Sequence, residues 1–149
     1  MDADLAVYLD KVKERRSELG ESMVALQAVL DEPPGDPEHW LQQARAAAAE
    51  VRTDLAEHIE VTEASGGLYD SLRAEAARLA GPLRQLQAEH PDLVALADEL
   101  IAVLNRPAAD DRSAAPALVK ELLRRLSHHR QRGGDLIFEA YQVDVGGTG

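Results

Sequence analysis

Leu79-Ala80-Gly81-Pro82-Leu83-Arg84-Gln85-Leu86-Gln87-Ala88-Glu89-His90-Pro91-Asp92-Leu93, continued through Ala97, Leu100 and Leu104, places an apolar residue at every third or fourth position. That period lays a single apolar stripe along an α-helix. One member of the stripe is polar: His90 stands between Leu86 and Leu93, where the spacing asks for a core residue. A helix is expected over residues 77–105. Pro91 should either kink it or start it, because proline lacks an N–H and crowds the carbonyl four residues back.

The same spacing recurs in three other stretches. Leu5, Val12, Leu19, Met23, Leu26 and Leu30 run over 2–31, Trp40, Ala44, Ala47, Val51 and Leu55 over 37–63, and Val119, Leu122, Leu126, Leu136 and Ala140 over 114–141. Breaks separate them. Glu32-Pro33-Pro34-Gly35-Asp36-Pro37 ends one helix and starts the next, with Asp36 as N-cap and Pro37 in the first helical position. Ser65-Gly66-Gly67 and Asn105-Arg106-Pro107 mark two more, and Ser113 can cap the last helix with Pro116 in its first turn. Residues 67–75 are expected to form a short extra helix. Four long amphipathic helices with short links predict an all-α, antiparallel up-down-up-down four-helix bundle. It would be one domain over 1–145, followed by a flexible Gly-rich tail at 146–149.

Composition agrees with that architecture. A chain of 149 residues suffices for one core, and aromatics are only 3%, so the core must be built from Leu, Val, Ile and Ala, which suit close-packed helices. The net charge of −11 and the absence of a basic stripe argue against nucleic acid and against anionic membrane surfaces. There is no cysteine, hence no disulfide framework and no thiolate chemistry. The acidic start Met1-Asp2-Ala3-Asp4 lacks the basic and apolar regions of a signal peptide, and no apolar run approaches membrane-spanning length, so the cytoplasm is the expected location.

Extending each stripe by its own spacing exposes further polar intruders. His58 follows Leu55, His129 follows Leu126, and Arg16 falls between Val12 and Leu19. Three of the five histidines therefore sit on inward faces of three different helices, while His39 is expected in solvent and His128 one position off its stripe. Buried polar groups need partners. A shared metal would satisfy three imidazoles at once, and separate hydrogen bonds to carbonyls or glutamates would satisfy them singly. Counting helical rise from one end puts Arg16, His90 and His129 at a depth of roughly 22 Å, and His58 roughly 9 Å further along.

At this point the chain resembles the hemerythrin-like (HHE cation-binding) family, in a bacterial branch with a degenerate metal site. His58-Ile59-Glu60-Val61-Thr62-Glu63 with Gly66-Gly67-Leu68-Tyr69 is similar to the end of that family's second helix. Glu89-His90-Pro91-Asp92-Leu93 is similar to the histidine segment of its third, and His129 through Gly147 to its fourth helix and tail. The resemblance implies a non-haem iron site of one or two ions. It assigns His58, His90 and His129 to ligand positions, with Glu63 as a carboxylate within reach, and it implies a metal ion and a diatomic gas as partners. The departures are equally plain. The family pattern sets a carboxylate four or five residues after the second- and fourth-helix histidines. Here Thr62 and Gly133 stand at plus four, and residues 130–134 contain no acid. The first-helix histidine is absent, and Arg16 is the nearest stripe residue.

No P-loop, dinucleotide glycine fingerprint or nucleophile elbow is present. The expected function is therefore binding or sensing of iron, oxygen, nitric oxide or redox state at an incomplete His-rich site, rather than catalysis; a peroxide-decomposing redox enzyme ranks last. The alternative is a metal-free interaction bundle in which Arg16, Thr62 and Gly133 have repacked the site and Arg16 pairs with Glu60 or Glu63.

Overall fold

Asp36 accepts a hydrogen bond from the Glu38 N–H at 3.1 Å, and Pro37 fills the first helical position, so the second helix starts where the sequence places it. In the computed structural model, residues 3–33, 35–64 and 66–147 are described, with side chains except at 3–6, 8, 75 and 140–147. The helices are α1 (Ala3–Asp31), α2 (Pro37–Glu63), α3 (Leu68–Glu75), α4 (Ala80–Leu104) and α5 (Ala115–Gly147). Short 3-10 turns occupy Ala77–Leu79 and Ala109–Arg112. Met1, Asp2, Pro34, Ser65, Thr148 and Gly149, which enter the expected segment ends, breaks and tail, lie outside the described residues.

The four long helices form the expected all-α bundle. Helix α1 packs on α2, α2 on α4, α4 on α5 and α5 back on α1, so α2 and α5 face each other across the bundle. The short α3 lies across α1, α2 and α4. Gly66, at a φ of 74°, makes the turn into it, a left-handed conformation that favours glycine. Neighbouring Gly67 has no room for a side chain: a Cβ there would stand 2.8 Å from the Ala64 carbonyl oxygen.

Helix α4 runs through Pro91 from Ala80 to Leu104, so of the two expectations for Pro91 the helix start is excluded. The packing of Leu86, Leu93, Ala97 and Leu100 on both sides outweighs one forfeited backbone bond. Helix α5 passes its expected end at 141 and takes in Gly146 and Gly147, since glycine lowers helix propensity but does not stop a helix as proline does.

The core is in two parts. The larger extends from Leu19 and Leu55 to Leu104 and Leu126. The smaller gathers Val12, Leu68, Tyr69, Leu72, Leu83, Leu86 and Leu136 under α3. Between them on each long helix lies one polar residue: Arg16 on α1, His58 on α2, His90 on α4 and His129 on α5.

Candidate metal centre

The three histidines are buried, at 4%, 1% and 2% exposure for His58, His90 and His129. Their apolar neighbours one turn away, Leu55, Leu86, Leu93 and Leu126, fix the helix faces and so aim the rings inward. His129 Nε2 lies 3.2 Å from His90 Nε2 and 3.4 Å from His58 Nε2. One nitrogen from each ring falls within 4.8 Å of the other two. His58 therefore shares a layer with the other two and is not a turn or two beyond it. The rise count failed because it took the four helix ends as level.

The outer ring nitrogens explain the inner ones. His129 Nδ1–H donates to Glu89 Oε1 at 2.6 Å, and Glu89 is held in turn by Arg132. His90 Nδ1 lies 3.2 Å from Glu63 Oε2, a close contact set off the hydrogen-bond line. His58 Nδ1 is buried without a partner. Tyr69, delivered by α3, stacks on His90 with rings 6.0 Å apart and nearly parallel, and burial pushes its hydroxyl up to about 12.

These contacts set tautomers. A carboxylate beside Nδ1 keeps the proton there and leaves Nε2 with its lone pair. The Nε2 atoms of His90 and His129 then face each other as two acceptors at 3.2 Å, which is repulsive unless a proton or a cation stands between them. Burial, reinforced by the other two histidines and by Arg16, holds His58 down at about 3. Burial and then Arg16 hold His129 down at about 4, and His90 is lowered too, by burial first, against the pull of Glu63. Neutral imidazoles with converging lone pairs are what a borderline divalent metal takes. Two nitrogens at about 2.0–2.1 Å from one tetrahedral ion stand roughly 3.3 Å apart, which matches the separations of His129 Nε2 from His90 and from His58.

Glu63 reaches the cluster, but at the outer nitrogen of His90 rather than beside the three Nε2 atoms. Glu89, to which the sequence reading gave no role in the site, supports His129. Thr62 donates to the carbonyls of His58 and Ile59 at 3.0 and 3.1 Å, so it is satisfied within its own helix. Arg16 does not pair with Glu60 or Glu63. Its Nη1 donates to the Arg130 carbonyl at 3.0 Å, and Arg130 Nη2 donates back to the Arg16 carbonyl at 3.1 Å. The Arg16 guanidinium lies along Gly133 and Gly134, where hypothetical Cβ atoms would stand 3.6 and 3.0 Å from it. A second acidic group, Glu18, Asp54 and Glu57, lies between α1 and α2, where Arg15 bridges Glu18 and Glu57 at 2.9 and 3.2 Å.

A family model described as Hemerythrin HHE cation binding domain matches residues 17–140, from just after Arg16 to just before the last turns of α5. Searches of curated proteins and of solved structures give no significant match.

Proposed function

This chain belongs to the hemerythrin HHE cation-binding domain family, and from that premise we propose that it binds one non-haem iron ion through His58, His90 and His129 and serves as a binding or sensing protein. The observation that carries this is the convergence of three buried, neutral imidazole nitrogens, two of them backed by carboxylates. A carboxylate behind a ligating histidine fixes its orientation and raises its basicity. Glu89 does this for His129 and Glu63 for His90, which makes Glu63 a supporting group rather than a direct ligand.

One ion fits better than two. The first layer holds three nitrogens and, among the described residues, no carboxylate placed to bridge a pair of metals. Three histidines leave coordination positions open, as in sites that take an outside ligand. A ferrous ion held by the three histidines would supply an open coordination position for a diatomic gas such as oxygen or nitric oxide. The protein's part is to exclude bulk water through Tyr69, Leu86 and Leu136, to hold the rings neutral, and to keep the protons of His90 and His129 on Nδ1, facing Glu63 and Glu89. No helix among the described residues is long and apolar enough to cross a membrane; the cytoplasm remains the proposed location.

The test is metal content after anaerobic incubation with ferrous iron and desalting. About one iron per chain is expected, falling to background when His58 and His90 are both replaced by alanine in a chain that keeps its helical circular dichroism. Undiminished uptake by that variant would refute the assignment. No uptake by the natural sequence, with a melting temperature indifferent to chelator, would favour the metal-free interaction bundle.

A further inference from the structure

Two of the three histidines have an acceptor for the outer nitrogen, and the third does not. If Nε2 of each ring faces a metal, each must carry its proton on Nδ1. His129 Nδ1 donates to Glu89, and His90 Nδ1 has the Glu63 carboxylate 3.2 Å away but off the hydrogen-bond line, whereas His58 Nδ1 is buried with neither a hydrogen bond nor a carboxylate in contact. A buried donor left without an acceptor is unfavourable, because it gives up its hydrogen bond to water and gains none.

A second deficit lies beside the first. Arg16 and Arg130 clasp each other through backbone carbonyls, and neither guanidinium has a carboxylate within ion-pair distance among the described residues. Arg130 Nε is also buried without a partner. Two like charges side by side, half-buried and uncompensated, are unfavourable unless something negative joins them. The chain makes space for them: a Cβ on Gly20 would stand 2.8 Å from Arg130 Nη2, and one on Gly134 3.0 Å from Arg16 Nη2. Glycine inside a helix is less favourable than alanine, and here both lie against a guanidinium.

Arg16 and His58 line one cavity. A space of about 20 Å³ is bordered by Arg16, His58, Thr62 and His129, and over most of its wall by apolar side chains such as Val12 and Leu136. That is room for one water or one small ion. Water would accept from His58 but leave Arg16 unpaired; an anion does both.

The geometry points to this cavity as a binding site for a small monovalent inorganic anion, paired with the Arg16 guanidinium and accepting a hydrogen bond from His58 Nδ1. The inference rests on the metal reading only for the tautomer of His58. The missing counter-charge at Arg16 stands without it. A metal at the three Nε2 atoms adds positive charge to the layer and tightens the same anion.

The probe is bromide, compared with bulky gluconate at constant ionic strength, on iron-loaded and metal-free protein. Melting temperature is followed over a bromide series, and metal content is measured on the same samples. Bromide should raise the melting temperature of the natural sequence, and its apparent affinity should fall at least tenfold in Arg16→Gln and recover in Arg16→Lys. Crystals soaked in bromide should show an anomalous peak within hydrogen-bonding distance of Arg16 and His58 Nδ1, a readout that needs no variant to fold. An equal bromide response in Arg16→Gln, or bromide only at the surface as an adventitious ion, overturns the inference. Retained iron with no bromide effect defeats this site alone; a bromide effect in protein that retains no iron defeats the metal reading alone.

Discussion

Replacing Glu89 by glutamine tests whether the outer carboxylates prepare the histidine cluster. The 2.6 Å contact to His129 Nδ1 is a charge-assisted hydrogen bond to a side chain only 3% exposed. Glutamine keeps the shape and an accepting oxygen but removes the charge that favours the Nδ1–H tautomer. Loss of such a supporting partner weakens metal binding about 10- to 100-fold, or about 1.4–2.7 kcal/mol. The upper half of that range is expected here, because the contact is short and His129 is buried. Glu63→Gln should cost less, about 10-fold or below, since its contact to His90 is 3.2 Å and off line. The assay is competition for zinc or cobalt(II) against a chromophoric chelator, with circular dichroism to verify folding. If Glu89→Gln binds within twofold of the natural sequence while His129→Ala fails to bind, the carboxylate does not tune the site and the tautomer argument falls with it.

Metal-free protein should lose stability on acidification from pH 7 to 5.5. His58, held at about 3 when folded and near 6.5 when unfolded, takes up its proton only in the unfolded chain across that window, so the loss starts below 6.5 and levels off near the folded value. The loss is about 1 kcal/mol from His58 alone, with His90 and His129 acting in the same direction, and urea midpoints against pH will measure it; a flat profile would contradict a buried neutral His58. Gly133→Ala should stabilise α5 by up to about 1 kcal/mol, because its Cβ would meet Arg16 Nη1 at an ordinary 3.6 Å. Gly20→Ala should forfeit most of the same gain, because its Cβ would displace Arg130 Nη2 from the Arg16 carbonyl; thermal melts of the pair decide the ranking. Leu55→Ala, at a fully buried position one turn from His58, should cost about 2–5 kcal/mol in chemical unfolding and loosen metal retention.

The bundle was legible because its apolar stripes are long and punctuated. Leu83 to Leu104 on α4 and Leu5 to Leu30 on α1 repeat over many turns, and Asp36-Pro37 marks a helix start by local chemistry alone. The three histidines were legible for the same reason, as polar interruptions of apolar stripes. Their common depth was not, because rise along one helix says nothing of the offset between helices. Glu89 was missed because it precedes the stripe residue His90 and so lies about 100° away around the helix, a position usually left to solvent. Its partners, His129 and Arg132, come from α5 and stand three residues apart on one face. Asking which acid flanks each inward histidine, and which helix faces that flank, would have found it. The fate of Arg16 was also hidden: its acceptor is a backbone carbonyl of α5, which no side-chain pattern advertises.

The departures from the family pattern act together on charge. No acid follows His129 within five residues, the acid that follows His58, Glu63, sits at the outer nitrogen of His90, and Arg16 puts a fixed cation at the stripe position nearest the family's first-helix histidine. Taken alone, those changes would make the layer hostile to any metal. But two carboxylates remain one atom layer out, at Glu63 and Glu89, where they act through the rings and leave the inner layer to neutral nitrogen. That arrangement can offset one dication and has neither ligands nor counter-charge for a second. It also leaves Arg16 and Arg130 in surplus on the α1–α5 side, opposite the carboxylates that serve α4 and α5. A layer so divided favours one cation at the imidazoles and one small anion at the guanidinium, each easing the placement of the other. Coupling of that kind is reciprocal: if bromide tightens iron retention in the natural sequence, iron must tighten bromide by the same factor, and both must lose that factor in Arg16→Gln.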